Sequence, residues 1–176
     1  IPEQVLPHVS RVAPTLAFLD STGVEPKWEL VKSLAHHRRG VRGEKVELLI
    51  LFAFDMFINR WLKSERLWGR LDEFYGDQEW RDHLRDSIQR GEEIAARRTR
   101  FIGLYMARLR DDLGYQFVDP YGPLTRGRHV LYHMIFATDH PVAHRIMGDV
   151  WSKARAIPGD MFYQQRTFDL PDDPTR

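Results

Sequence analysis

Residues 46–54 read VELLILFAF, and together with the earlier stretch TLAFLD at residues 15–20 they decide the fold. Both stretches are almost continuously apolar and of strand length, which is typical of parallel strands that are buried on both faces. Residues 26–37 lie between them, begin with a proline suited to a first helical turn, and carry apolar side chains at helical spacing. A strand, a helix and a second strand in this order predict a βαβ unit.

The middle of the chain is predicted to be an inserted helical region, over about residues 57–113. A break at residues 72–76 separates a first helical stretch from an N-capped helix at residues 77–88. A long amphipathic helix follows over residues 92–113. Its apolar stripe consists of Ile94, Phe101, Ile102, Tyr105, Leu109 and Leu113.

The last third of the chain predicts a hairpin and a helix. Residues 115–121 and 130–137 have strand composition, and the loop expected between them at residues 122–128 contains Gly and Pro. A helix is expected over residues 141–156. The side chains expected to point inward are Val142, Ile146, Met147 and either Val150 or Trp151. The sequence therefore predicts an α/β fold whose sheet is parallel first and ends in an antiparallel hairpin, a layout that resembles the second half of a class I methyltransferase.

Composition sets the class of protein. The chain has 176 residues, no cysteine, and 26 Lys and Arg against 25 Asp and Glu. This length predicts one α/β domain, residues 1–157, and a polar tail, residues 158–176. The lack of cysteine excludes disulfides, thiolate metal sites and cysteine nucleophiles, and it favours a cytoplasmic location. The longest apolar run, residues 48–54, is far shorter than the ~20 residues of a membrane helix, so we expect no membrane partner.

Polar side chains follow the two predicted parallel strands. Asp20 ends the first strand, and Asp55, Asn59 and Arg60 follow the second. Ligands of open α/β sheets bind outside the carboxyl ends of the strands. We therefore expect Asp20 as a candidate catalytic carboxylate and the other three as candidate substrate-binding residues, the alternative being turn, helix-capping and salt-bridge roles.

Two further groups of residues carry weaker hypotheses. Arg97, Arg98, Arg100 and Arg108 on the long helix are candidates for binding nucleic acid, although interleaved acidic residues also fit a solvated helix face. The histidines lack the glutamate or other ligands of a complete metal site, so no metal is expected. Glycine-rich phosphate loops are also absent from the sequence.

Several segments, in this order and spacing, resemble the three-Cys-motif partner protein (TcmP) family. Residues 16–23 are similar to its strand ending in Asp-Pro-Phe-Gly, residues 47–60 to its ELLINF…INR segment, and residues 74–81 to its FFG…WR stretch. Residues 132–141, YHMIFATDHP, resemble its YYLLFATNHP. The likeness covers about residues 13–155.

The resemblance implies a Rossmann-like, class I methyltransferase-like fold with a suspected role in modifying nucleic acid. It places Asp20 at the target nitrogen, but Ser21 and Thr22 stand where the family has Pro and an aromatic that stacks on a target base. It also implies an amino-terminal half that binds S-adenosylmethionine. The chain begins with Ile1 and lacks that half. We therefore expect that the half lies in the parent gene or on a partner chain, or that pairing in a homo-oligomer replaces it.

Three functions follow from these patterns. The first is the target-binding half of a methyltransferase-like enzyme, with S-adenosylmethionine as cofactor only where the other half is present. The second is a non-catalytic partner or scaffold that binds a three-Cys-motif protein, another protein or nucleic acid. The third is a nucleic-acid binder that uses the arginines of the long helix.

Overall fold

A mixed sheet organises the chain in the computed structural model, which describes residues 6–20, 26–38, 45–126 and 129–156. The sheet has four strands in the order β1-β2-β4-β3. These strands are β1 (Leu16–Leu19), β2 (Glu47–Phe52), β3 (Phe117–Arg126) and β4 (His129–Thr138). β1 and β2 are parallel, β4 runs antiparallel to β2, and β3 forms a hairpin with β4. The predicted mixed α/β fold is confirmed.

Four of the five principal helices lie close to their predicted bounds, and the exception is α2. They are α1 (Trp28–His37), α2 (Trp68–Tyr75), α3 (Trp80–Gln89), α4 (Ile94–Asp111) and α5 (Pro141–Ala156). A π-helical turn over Phe54–Ile58, a single α-helical turn over Asn59–Trp61 and a 3-10 turn over Glu65–Leu67 connect β2 to α2. The predicted helical insertion between the parallel strands and the hairpin is therefore present.

A break in the helix was expected at residues 72–76. Residues 72–75 are instead helical, because α2 continues to Tyr75. Gly76 then ends the helix with a φ of 82°, a left-handed conformation that favours glycine. A Cβ atom at this position would lie 2.3 Å from a ring carbon of Trp28. The close approach of α1 therefore requires glycine at the end of α2.

An aromatic core fills the space between one face of the sheet and the helices. Leu48, Ile50 and Phe52 alternate along β2 and are fully buried on this face. The ring of Phe52 lies 5.5 Å from that of Tyr105 and 5.7 Å from that of Phe74, measured between centroids. Burial of each such side chain contributes roughly 1.5–3 kcal/mol, so this cluster fixes α2 and α4 against the sheet.

The strand expected at residues 15–20 is present as β1, but the expectation that it is buried on both faces is wrong. β1 lies at the end of the sheet, and Leu16 and Phe18 are 50% and 55% exposed. Their register with Glu47 and Leu49 places them on the sheet face opposite the aromatic core. The apolar sequence identifies the strand. It does not show whether a second layer covers the strand, because that depends on packing by other segments.

Two predictions for the last third of the chain are corrected. The loop expected at residues 122–128 is mostly strand, because β3 continues to Arg126 with register shifts after Tyr121 and after Leu124. Helix α5 directs His144 and Trp151 towards β3, with ring centroids 4.6 Å from Phe117 and 5.4 Å from Tyr121 respectively. Of the side chains expected to point inward, Val142 and Ile146 are instead exposed. Of the two alternatives Val150 and Trp151, Val150 is exposed and Trp151 is the one that points inward.

Within the described ranges, none of the helices has the length and apolar character needed to cross a bilayer. The predicted polar tail, residues 158–176, and residues 21–23 of the Asp-Ser-Thr-Gly motif lie outside the described residues.

Candidate functional site

Polar side chains gather at the edge of the sheet where β2 ends. Asp55 and Asn59 follow β2 directly, Arg98 approaches from α4, and His133 lies on β4 opposite Phe52, the last residue of β2. We call Asp55, Asn59, Arg98 and His133 the carboxyl-edge cluster. Its position is the one where open α/β sheets bind ligands.

The central contact of the cluster is the ion pair between Arg98 and Asp55. Arg98 donates from Nε to Asp55 Oδ2 at 2.7 Å and from Nη2 to Asp55 Oδ1 at 2.8 Å. Both side chains are 16% exposed. A bidentate pair of this kind fixes both groups in orientation as well as in charge. It also joins two residues that the sequence had assigned to different roles.

The π-helical turn over Phe54–Ile58 sets the position of Asp55. Phe54 and Ile58 are fully buried and anchor the turn, whereas Asp55 between them keeps partial access to solvent. The ring of Phe54 lies 5.9 Å from that of Phe101 on α4, one turn from Arg98. Turns with π-helical hydrogen bonding occur frequently at functional sites.

Asn59 is a buried polar side chain with an unused acceptor. Its side chain is 8% exposed, and its Oδ1 atom has no hydrogen-bond partner among the described residues. A buried polar atom left unpaired costs about 1–3 kcal/mol, and such an atom calls for a specific explanation. An N–H group brought by a ligand would satisfy it. Arg60, the adjacent predicted substrate-binding residue, is exposed.

His133 contributes a half-buried imidazole to the same edge. Burial lowers its pKa below 6.5, the nearby positive charge of Arg98 lowers it further, and the negative charge of Asp55 opposes this shift. The Nδ1 atom has no partner among the described residues. The imidazole is therefore neutral at pH 7 and presents one nitrogen as donor and the other as acceptor. From the sequence, the histidines were considered only as metal ligands, and His133 was given no role.

Asp20 lies at the same edge of the sheet, because β1 and β2 run parallel with Leu19 paired to Ile50. Its side chain is solvent-exposed. The structure thus places Asp20 beyond the carboxyl end of β1, as the sequence predicts. Of the three candidate substrate-binding residues after β2, Asp55 is the one that forms the bidentate pair with Arg98.

The arginines predicted to bind nucleic acid do not form one patch. Arg97 donates to Ser87 Oγ at 2.9 Å, and Arg98 binds Asp55. Arg108 binds Asp77 and Asp112 and lies over the ring of Trp28, 4.7 Å from its centroid. Each guanidinium is therefore held by a group of the chain itself.

Arg100 forms the ion pair with the clearest electrostatic effect. It donates from Nε to Glu92 Oε2 at 3.0 Å and from Nη2 to Glu92 Oε1. Hydrogen bonds from Arg100 hold the pKa of Glu92 at about 2, although desolvation opposes this shift. A nucleic acid that approached this face would compete with an existing carboxylate partner.

The described residues, which do not include the turn after β1, contain no glycine-rich loop of the kind that binds S-adenosylmethionine. A Rossmann-type cofactor site needs a glycine-rich turn between a strand and a helix. β2 instead leads through Ala53 into the π-helical turn, and the glycines with positive φ in the described ranges, Gly76, Gly91, Gly114 and Gly122, do not follow β1 or β2. No group of three His, Asp or Glu side chains in the described part of the chain is arranged to hold a metal ion.

Comparisons with family models, with curated proteins and with solved structures give no match for this chain. Its candidate site therefore has to be interpreted from its own chemistry.

Proposed function

We propose that this chain is the target-binding half of a methyltransferase-like protein similar to the TcmP family, and that its carboxyl-edge cluster binds a nucleobase of single-stranded nucleic acid. The cofactor-binding half would be supplied by a segment that pairs with β1. Parallel strands β1 and β2, followed by an antiparallel hairpin, support the methyltransferase-like interpretation through the sequence resemblance.

The observation that carries the proposal is the pair of unused hydrogen-bonding atoms at the carboxyl edge. Asn59 Oδ1 and His133 Nδ1 are both buried and both unpartnered within the described residues. A nucleobase offers amino N–H donors and ring-nitrogen or carbonyl acceptors along one edge. An amide and a neutral imidazole can recognise both kinds of group, because each can donate and accept.

The other members of the cluster position these two residues. The Arg98–Asp55 pair cancels the charge of both groups at the edge, so the site favours a neutral base over an isolated anion. Asp20, exposed beyond β1, is in reach of solvent and of a ligand at the same edge. In this proposal Asn59 binds the target, His133 orients it, and Asp20 is the carboxylate near the target nitrogen.

The open end of the sheet supports the second part of the proposal. Leu16 and Phe18 expose apolar side chains on one face of β1, and β2 is the strand paired with β1 among the described residues. Parallel strands are typically covered on both faces. A further strand and helix added at this edge would cover both residues, and in the methyltransferase-like interpretation they belong to the half that binds S-adenosylmethionine.

The test is equilibrium binding of fluorescein-labelled single-stranded DNA and RNA of mixed sequence, measured by anisotropy. We expect saturable binding, weakened about three- to tenfold by Asn59→Ala, since one net hydrogen bond contributes about 0.5–1.5 kcal/mol. Thr138→Ala is the matched control, because Thr138 is a buried polar residue at the other end of β4, beside the amino end of β2 and away from the cluster. Absence of binding, or equal effects of both substitutions, would contradict the proposal.

A non-catalytic interaction module is the second candidate function. It is favoured by the internal pairing of Asp55 and of the α4 arginines, and by Ser21 and Thr22 in place of the family's Pro and aromatic residue. In this case a protein, such as a three-Cys-motif protein, would be the partner, and Asn59→Ala would leave its binding unchanged.

A further inference from the structure

A basic segment follows the carboxyl-edge cluster directly along the chain. Residues 60–70, RWLKSERLWGR, carry four basic side chains against one acidic side chain, in a chain whose net charge is only +1. The basic residues are Arg60, Lys63, Arg66 and Arg70, and all four are exposed. We call these four residues the basic strip. Such a local excess of positive charge attracts anions even where the whole protein is nearly neutral.

One turn of the chain and one aromatic ring bring members of the strip together. The backbone N–H of Lys63 donates to the carbonyl oxygen of Arg60 at 3.3 Å, so these residues lie three apart in a single helical turn. The guanidinium of Arg70 returns from α2 to the same place and lies over the ring of Trp61, 5.3 Å from its centroid. Arg66 lies in the 3-10 turn between them. The strip therefore begins beside the cluster and ends beside its own first turn.

The charges of the strip are not neutralised by carboxylates, in contrast to those of the α4 arginines. Its members form no ion pair with a carboxylate among the residues that the structure describes. The acidic residues of the adjoining helix α2 are already occupied, because Asp72 binds Arg81 at 2.6 Å and Glu73 binds Lys27 at 3.1 Å. A polyanion that approached the strip would therefore displace no internal ion pair.

The mixture of cations and a flat surface favours a single-stranded nucleic acid over other polyanions. Proteins that bind single strands combine positive groups along the phosphate backbone with aromatic rings or guanidinium planes on which bases stack. Arg70 offers such a plane, since it is exposed and its guanidinium is held over the half-buried ring of Trp61. The exposed cations of Arg60, Lys63 and Arg66 offer the charges that phosphates require.

We propose that the basic strip binds the phosphate backbone of the single-stranded nucleic acid whose base enters the carboxyl-edge cluster. The inference rests on the proposed function and assigns to it the contacts that position the strand. Arg60 follows Asn59 in the chain, so a strand that leaves the cluster meets the strip first at Arg60 and then at Lys63. Phosphate contacts carry no sequence information, so the choice of base stays with the cluster.

The test is the salt dependence of oligonucleotide binding, measured by fluorescence anisotropy over a range of NaCl concentrations. The test variant combines Lys63→Gln with Arg66→Gln and leaves Asn59 and Arg60 in place. Each phosphate contact on a single strand contributes about 0.7 to the slope of log K against log salt concentration, so we expect this variant to reduce the slope by about 1.4. Circular dichroism checks that the variant, altered only at exposed residues, remains folded.

The matched control combines Arg145→Gln with Lys153→Gln on α5. It removes the same charge from exposed residues, and α5 packs on the hairpin through Phe117 and Tyr121, away from the strip. The slope should be unchanged in this control. An unchanged slope in the test variant, or an equal fall in both variants, would overturn the proposal.

Asn59→Ala distinguishes failure of the strip from failure of the proposed function. It should weaken binding at every salt concentration and leave the slope unchanged, because Asn59 is neutral. Binding that depends on Asn59, with a slope that Lys63 and Arg66 do not affect, would contradict the strip alone, whereas absence of binding would contradict both. Binding of phosphatidylserine vesicles through Lys63 and Arg66, with no effect of these residues on the oligonucleotide, would assign the strip to a membrane surface and overturn the proposal.

Discussion

Arg98 on α4 binds Asp55 beyond β2 through two hydrogen bonds of 2.7 and 2.8 Å, across a sequence separation of 43 residues. This pair connects the longest helix in the described part of the chain to the edge of the sheet where the candidate site lies. It leaves Asn59 and His133 as the members of the cluster with unpartnered buried atoms in the described part of the chain. The stability and the ligand chemistry of this edge can therefore be tested separately.

Removal of one member of the Arg98–Asp55 pair should destabilise the fold. Arg98→Met leaves a carboxylate that is 16% exposed without its partner, and we expect a loss of about 1–3 kcal/mol in the free energy of unfolding by urea. The double variant Arg98→Met with Asp55→Asn should lose less than the sum of the two single variants. Arg85→Met is the control, because its pair with Asp82 is solvent-exposed and should contribute less than about 1 kcal/mol. Additive losses in the double variant would show that the pair is not coupled.

His133 should make stability depend on pH. Burial and Arg98 lower its pKa below 6.5, so the unfolded chain binds more protons than the folded chain just below this value. Stability therefore falls as the pH drops through 6.5 towards the lower pKa of the folded state, and it is unaffected by this residue at higher pH. Urea unfolding as a function of pH should show a smaller decline for His133→Gln than for the unaltered chain. An unchanged decline in His133→Gln would contradict the assignment.

Glu92 should titrate far below an ordinary glutamate. Its pKa of about 2, against the usual 4.5, is set mainly by hydrogen bonds from Arg100. Carbon-detected NMR titration should find this value, and Arg100→Gln should move it back towards 4.5. Because the folded-state pKa is depressed, the pair stabilises the fold above pH 4.5 and this contribution is lost as the pH falls towards 2. A normal pKa for Glu92 in the unaltered chain would show that the pair does not form in solution.

Two glycines should respond in opposite ways to the same substitution. Gly76→Ala combines a φ of 82° with a Cβ position 2.3 Å from the Trp28 ring, so we expect a loss of more than about 1 kcal/mol. Gly103 lies inside α4 with nothing within 4 Å of its Cβ position, and Gly103→Ala should stabilise the fold by about 0.5–1 kcal/mol. Thermal unfolding of the two variants checks both signs, and a neutral effect at Gly76 would show that α1 and α2 do not pack as described.

Local sequence patterns predicted most of the elements but few of the contacts between them. The apolar run at residues 46–54 identifies β2, and the stripe that contains Phe101, Tyr105 and Leu109 identifies α4, because each period is visible within one segment. The π-helical turn that starts at Phe54 has no such signal, since the apolar run simply continues through it. Periodicity also could not distinguish the two apolar sides of α5, so the exposed side chains of Val142 and Ile146 were expected to point inward.

The candidate site was predictable only in part, for a related reason. Asp20, Asp55 and Asn59 could be located because residues after parallel strands lie at one edge of the sheet. Arg98 and His133 join that edge through the packing of α4 and through an antiparallel register, which connect residues far apart in sequence. Glycine or cysteine motifs would have marked a site directly, but the site here uses neither.

Binding of a nucleobase at the carboxyl edge is tested most directly by two-dimensional ¹H–¹⁵N NMR of the labelled chain during titration with a short single-stranded oligonucleotide. Our proposal predicts saturable shifts in the backbone amide signals of Asp55, Asn59 and His133, and in the side-chain amide of Asn59. Shifts confined to Arg97, Arg100 and Arg108, or no shifts at a saturating concentration of oligonucleotide, would contradict it.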